Sequence, residues 1–244
     1  MRRLVLLLLC FCLYSASTAA ADAVSTETTD YRGNTRTYYL DIPETAKPPS
    51  PLVVLLHGSG GNGEFMLEQW KDVAAREGVV LLAPNSLHAD VGWDLDADGP
   101  DYIHQLIGIV AAKHPIDFRR IYVFGQSGGA VYALTLAMLE SQFFAAVAFH
   151  AGGWRRPAEY KAMDYAKRKI PITMYLGDRD EYFSLSSVEH TERALTDAGF
   201  PVALNVLPGR HHSYLDVPAE FNQTVWNALK GSALTDEPNY TVYR

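Results

Sequence analysis

Ser127 sits in Gly125-Gln126-Ser127-Gly128-Gly129, directly after the apolar run 121–124 and directly before a helix-compatible stretch, 130–139. A serine hydroxyl attacks carbonyls poorly until a base removes its proton, and the base works only when a third group holds its tautomer and orientation. An acid and a histidine are therefore required. In a sheet of parallel strands, reactive groups collect beyond the C-terminal ends of the strands. Past the apolar run 172–176 comes Gly177-Asp178-Arg179-Asp180, and past 202–207 comes Pro208-Gly209-Arg210-His211-His212. Each segment offers two candidates, Asp178 or Asp180 and His211 or His212. Serine, acid and histidine in that chain order suit acyl transfer from an ester or an amide.

The pentapeptide alone is a weak signal, since Gly-x-Ser-x-Gly arises by accident in roughly one chain in ten of this length at ordinary glycine usage. A buried strand before it and a helix after it remove most of that background. The chemistry needs both, because the tight turn lifts the hydroxyl out of the backbone and the helix N-terminus favours developing negative charge. An acyl-transfer intermediate also needs N–H donors for its oxyanion. Gly128, the residue after the nucleophile, supplies one, and the loop following His57-Gly58 supplies the other. A free imidazole titrates near ~6.5, so a histidine base predicts activity that rises with pH through the neutral range.

The elements that must hold these residues are legible as alternation. Apolar runs at 52–56, 79–83, 121–124, 145–149, 172–176 and 202–207 read as buried strands. Between them lie stretches of helical periodicity, such as Phe65, Met66, Gln69, Trp70 and Val73, or Ile103, Leu106, Ile107 and Val110. The fold class is therefore α/β, with a mainly parallel central sheet and helices on both faces. The segment 35–42 alternates in polarity and is expected as an antiparallel edge strand. Only the short segment 155–169 separates the strand after Ser127 from the next, which leaves little room for a large lid.

From about Thr35 to Lys230 the chain resembles the secreted α/β-hydrolase esterases that include polyhydroxyalkanoate depolymerases, feruloyl esterases and acetylxylan esterases. The resemblance rests on Leu56-His57-Gly58-Ser59-Gly60-Gly61, on Ile116-Asp117-Phe118-Arg119-Arg120-Ile121-Tyr122-Val123 leading into the serine turn, and on Phe144-Ala145-Ala146-Val147-Ala148 with Ala151-Gly152-Gly153 after it. It implies an ester hydrolase; the triad implies an acyl-serine intermediate, no cofactor is expected, and with no polymer-binding domain appended a soluble or oligomeric ester is the expected substrate. It selects Asp180, third after a glycine, His212, which follows Gly-x-x, and Ser59 as the second oxyanion donor. Arg210 and Tyr214 depart from the family's usual residues. A peptidase and a catalytically silent binding protein are the competing readings; the first often carries an additional domain that selects peptides, and the second should have lost a triad member.

Other features are weighed on their chemistry. Asp94-Leu95-Asp96-Ala97-Asp98-Gly99 matches the first half of a calcium loop, but Gln105 stands where the last carboxylate belongs. A solvated acidic turn leading to a helix start near Asp101 is the expectation, with no metal. Trp93, Trp154, Tyr182, Phe183 and Tyr214 all fall on the catalytic side of the sheet, and Trp93 is favoured as a substrate-pocket residue. His88, His104, His114 and His190 are expected at the surface, and His150 as a hydrogen-bonded structural histidine.

Arg2 and Arg3, an apolar run to Tyr14 and Ala19-Ala20-Ala21 follow the plan of a secretory signal over residues 1–21. The apolar core falls well short of the ~20 residues that span a bilayer, so an exported product, periplasmic or extracellular, without stable membrane insertion is expected. Cys10 and Cys12 both lie in that segment, which leaves the domain at 22–231 without a disulfide framework. A polar tail, 232–244, follows. The net charge of -7 disfavours contact with phosphate backbones, so no nucleic-acid partner is expected. Oligomeric state is not readable from the chain.

Overall fold

A computed structural model describes residues 24–241. The secretory segment expected over 1–21 lies outside the described residues. Eight strands form one sheet: β1 (Ser25–Tyr31), β2 (Asn34–Asp41), β3 (Ser50–Leu56), β4 (Val80–Pro84), β5 (Ile116–Gln126), β6 (Ala146–His150), β7 (Ile172–Gly177) and β8 (Val202–Leu207). Their spatial order is β1-β2-β4-β3-β5-β6-β7-β8. The pairs β1–β2 and β2–β4 are antiparallel, and every pair from β4 across to β8 is parallel.

Parallel strands covered on both faces must be apolar throughout, and β3, β4 and β6 are buried at every position. Alternate residues of β3 serve opposite cores. Leu52, Val54 and Leu56 pack with α3 (Pro100–Lys113), α4 (Gly128–Leu139) and α6 (Leu185–Asp197), whereas Val53 and Leu55 pack with α1 (Gly63–Glu77) and α7 (Phe221–Leu229). Two single turns, α2 (Leu95–Asp98) and α5 (Pro157–Tyr160), lie in the loops before α3 and after β6.

Two strand assignments are corrected. The alternating segment 35–42 is antiparallel as expected, but it is not the edge: β1 covers it, paired from Ser25↔Leu40 to Tyr31↔Asn34. The sequence of β1, STETTDY, is polar and largely open to solvent, so it carries no apolar signal. Conversely, β8 is the opposite edge and half exposed. Val202 and Leu204 pack against one core and Leu207 against the other, but none is fully buried and Val206 is 40% exposed, because an edge strand lacks a neighbour on one side. The described residues after α7, up to 241, form no helix or strand, yet they lie against the body: the Tyr122 hydroxyl donates to the Ser232 carbonyl at 2.7 Å, and Tyr240 stacks on His104 at 3.8 Å.

Candidate active site

β5 runs into α4 through one residue, Ser127, whose φ of 54° and ψ of -117° place a side-chain-bearing residue in a strained region that costs on the order of 1–3 kcal/mol. The surroundings hold it there. Its N–H donates to the His150 carbonyl at 3.0 Å and its carbonyl accepts from Ala130 N–H at 2.9 Å. The turn closes so tightly that a Cβ on Gly125 would lie 2.1 Å from the Gly129 carbonyl oxygen, so no other residue fits there without moving backbone.

His212 reaches this serine from the loop after β8, its Nε2 2.8 Å from Ser127 Oγ. Its Nδ1 lies 2.9 Å from Asp180 Oδ2, from the loop after β7. An ionised carboxylate only accepts, so Nδ1 carries the proton and Nε2 presents its lone pair to the hydroxyl. The other Asp180 oxygen accepts the N–H groups of Tyr182 at 2.8 Å and Phe183 at 2.7 Å. The Asp180 side chain is fully buried and that of His212 is 15% exposed. Phe183 lies parallel to the imidazole, the planes 9° apart, and Tyr182 flanks it at 4.6 Å.

The neighbouring candidates do other work. Asp178 accepts the Gly209 N–H at 2.6 Å and ties together the two loops that carry the acid and the base. His211 points outward, its Nδ1 3.6 Å from Glu181.

Across the serine turn, Gly128 and the Ser59 backbone face each other: a Cβ on Gly128 would lie 3.3 Å from Ser59 N. Gly128 opens α4, where backbone N–H groups lack intrahelical acceptors. The Ser59 loop is held by His57, which is completely buried. The Ser86 N–H donates to His57 Nε2 at 3.1 Å, so Nδ1 must be the protonated nitrogen that donates to the Gly58 carbonyl at 2.8 Å. Burial pushes the His57 pKa down, against the pull of the Gly58 hydrogen bond, and so preserves this neutral tautomer.

Trp93 seals the same loop by donating its indole N–H to the His57 carbonyl at 2.8 Å, and it stacks on Tyr132 at 5.1 Å. Two open clefts share Trp93, Gly128 and Val131. One, of 350 Å³, includes Ser59 and Phe183; the other, of 550 Å³, runs along α4 to Tyr165. Trp93 therefore lines the space beside the serine. Tyr214 does not: it is buried, accepts from Trp70 Nε1 at 3.1 Å and donates to Asn222. Trp154 is also buried, its Nε1 3.1 Å from Thr135 Oγ1.

The acidic turn is solvated at Asp94 and Asp96, which are exposed as expected, but not at its third carboxylate. Asp98 is 1% exposed and pairs with Arg36, itself 2% exposed, while accepting the N–H groups of Leu87 at 2.8 Å and Asp94 at 3.0 Å. Asp94 instead caps α2 by accepting from Asp96 and Ala97 N–H. Asp94 and Asp98 thus face different partners, and among the described residues no group of three or more His, Cys, Asp or Glu side chains is placed to hold a metal ion. The Arg36–Asp98 pair escapes sequence reading because its halves lie in β2 and α2. His150 is likewise corrected: it is buried between Tyr214 and Phe221, but neither ring nitrogen has a partner among the described residues. Of the histidines expected at the surface, His88 and His190 are exposed, whereas His104 and His114 are half-buried.

The sequence profile of the dienelactone hydrolase family matches residues 37–230. The chain is 26% identical over 166 residues to the bifunctional acetylxylan esterase/xylanase XynS20E of Neocallimastix patriciarum, covering 66% of this chain and 24% of that protein. It is 27% identical over 163 residues to a poly(3-hydroxybutyrate) depolymerase of Ralstonia pickettii, covering 57% of this chain and 32% of the relative. It thus spans about a quarter to a third of the length of these curated relatives. Among solved structures, LpqC, a poly(3-hydroxybutyrate) depolymerase from Bordetella parapertussis, superposes with a TM-score of 0.65 at 17% identity, covering 89% of this chain and 93% of that one. The fold is that of the α/β-hydrolases.

Proposed function

Because this chain belongs to the dienelactone hydrolase family, we propose that it is an exported serine esterase that hydrolyses soluble carboxylic esters through an acyl-serine intermediate. One observation carries the reading: His212 touches Ser127 Oγ with one nitrogen and the buried Asp180 with the other. Ser127 Oγ bonds to the ester carbonyl carbon as its proton passes to His212 Nε2. The oxyanion forms between the N–H groups of Gly128 and Ser59. Collapse breaks the bond to the alcohol oxygen, which leaves with the proton from His212. Water then gives a proton to the same nitrogen as its oxygen bonds to the acyl carbon, and collapse breaks the bond to Ser127 Oγ, which takes the proton back from His212 as the acid leaves. Asp180 holds the tautomer and stabilises the imidazolium formed twice per cycle.

The Arg2-Arg3 start, apolar run and Ala19-Ala20-Ala21 support export. The open clefts beside Trp93 favour small esters that enter from solvent. The test is hydrolysis of p-nitrophenyl acetate, butyrate and octanoate and of methyl ferulate by the purified protein and by Ser127→Ala. Turnover that vanishes in the variant supports the esterase, and the acyl series then defines the pocket. A folded protein inert on every ester contradicts it.

A further inference from the structure

We infer that Arg155 is a positioning residue that clamps the Asp180 turn and, through Phe183, the ring of His212; this rests on the triad proposed above. The Arg155 guanidinium lies 3.6 Å from the centre of the Phe183 ring and donates through Nη2 to the Tyr182 carbonyl at 2.6 Å. The same two residues supply both N–H groups held by Asp180 Oδ1, and the Phe183 ring lies parallel to His212. One exposed side chain thus contacts, at carbonyl and ring, the pair of residues whose backbone orients the acid and whose ring flanks the base.

A solvent-exposed arginine is costly to order, so its anchorage matters. Here the backbone is fixed on both sides. Trp154 is 1% exposed, and its carbonyl accepts the Tyr160 hydroxyl at 2.9 Å and the Thr191 hydroxyl at 3.1 Å. On the other side the Arg156 N–H donates to Glu159 Oε2 at 2.9 Å, the same oxygen that accepts the Arg155 N–H at 2.7 Å. The guanidinium is therefore launched from a rigid base, and a guanidinium suits the task because it stacks by its face while donating by its edge. Arg155 also borders the cleft beside Ser59, so a direct role in holding substrate is the competing explanation.

The experiment is p-nitrophenyl acetate kinetics on the full chain for wild type, Arg155→Met, Arg155→Lys, Phe183→Leu and the Arg155→Met/Phe183→Leu double variant. Rates are normalised to the fraction of Ser127 that a fluorophosphonate labels to completion. Misplacement of an acid–base pair lowers kcat by between about tenfold and a hundredfold. Arg155→Met is expected to show such a fall with KM within about twofold, Arg155→Lys to recover part of it by keeping the charge over the ring, and the double variant to lose less than the product of the two single losses. A raised KM with kcat preserved, or losses that multiply independently, overturns the inference. Absence of Ser127 labelling in the wild type would instead strike the triad itself, which separates the two failures.

Discussion

The indole N–H of Trp93 donates to the backbone carbonyl of His57 at 2.8 Å, so the wall of the cleft beside Ser127 and the loop that presents Ser59 are one mechanical unit. His57 is fixed from inside by Ser86 and from outside by Trp93. In the proposed mechanism, substrate shape and oxyanion geometry are thereby linked through a single side chain.

Trp93→Phe keeps a ring against Tyr132 but removes that donor. A lost hydrogen bond of about 1 kcal/mol corresponds to roughly a fivefold change in rate. We expect kcat to fall by about that factor on p-nitrophenyl acetate, and Trp93→Ala, which also opens the cleft, to shift preference toward longer acyl chains. An unchanged acyl profile in Trp93→Ala would show that the indole does not border bound substrate.

Asp180→Asn replaces an acceptor that fixes the His212 tautomer, and such a change lowers kcat by about 10⁴-fold in triads of this kind. Asp178→Asn should leave kcat within a few-fold, because Asp178 contacts the Gly209 N–H and not the base. Steady-state kinetics of the two variants side by side decide this, and equal losses would undo the assignment.

The sequence made the triad legible because its three members stand at the ends of β5, β7 and β8, where apolar runs stop abruptly and the chemistry of each residue type is distinctive. The choice between Asp178 and Asp180 was not visible locally, since both follow β7 by a few residues and only the three-dimensional position of His212 separates them. The family resemblance supplied what spacing could not. β1 was hidden for the opposite reason: a polar edge strand has no buried face to announce it. Arg36–Asp98 was hidden by distance along the chain, and Tyr214 lost its place in the pocket to the ordinary tendency of aromatics to fill cores.

Arg36→Met should be severely destabilising. It leaves Asp98 charged and buried without its partner, which typically costs about 3–5 kcal/mol and at this chain length lowers Tm by on the order of 10 °C. Asp98 also accepts the Asp94 N–H beside Trp93, so activity should fall at temperatures below the melt. Thermal denaturation followed by circular dichroism gives the first effect, and a shift of under about 2 °C would contradict the buried-pair account.

Stability should decline as pH falls from the neutral range toward 4. Burial lowers the His150 pKa to about 4, whereas the same side chain in the unfolded chain titrates near ~6.5. Between those values the unfolded state binds the extra proton, so acidification favours unfolding, by at most about 3 kcal/mol from this group once pH is below both. His57, lowered in the same direction by burial, adds to the slope. Urea melts of wild type and His150→Leu between pH 7 and 4 measure it; parallel slopes for the two proteins would remove His150 from the account.

The central claim is that Ser127 carries the acyl group between the two half-reactions. Rapid quench of the enzyme during turnover of p-nitrophenyl acetate, followed by peptide mass analysis, reads it directly. The account predicts a transient acetyl group on the peptide containing Ser127, formed in step with a burst of p-nitrophenol and absent from Ser127→Ala. Turnover by Ser127→Ala at the wild-type rate, or acetyl found only on another residue, would contradict it.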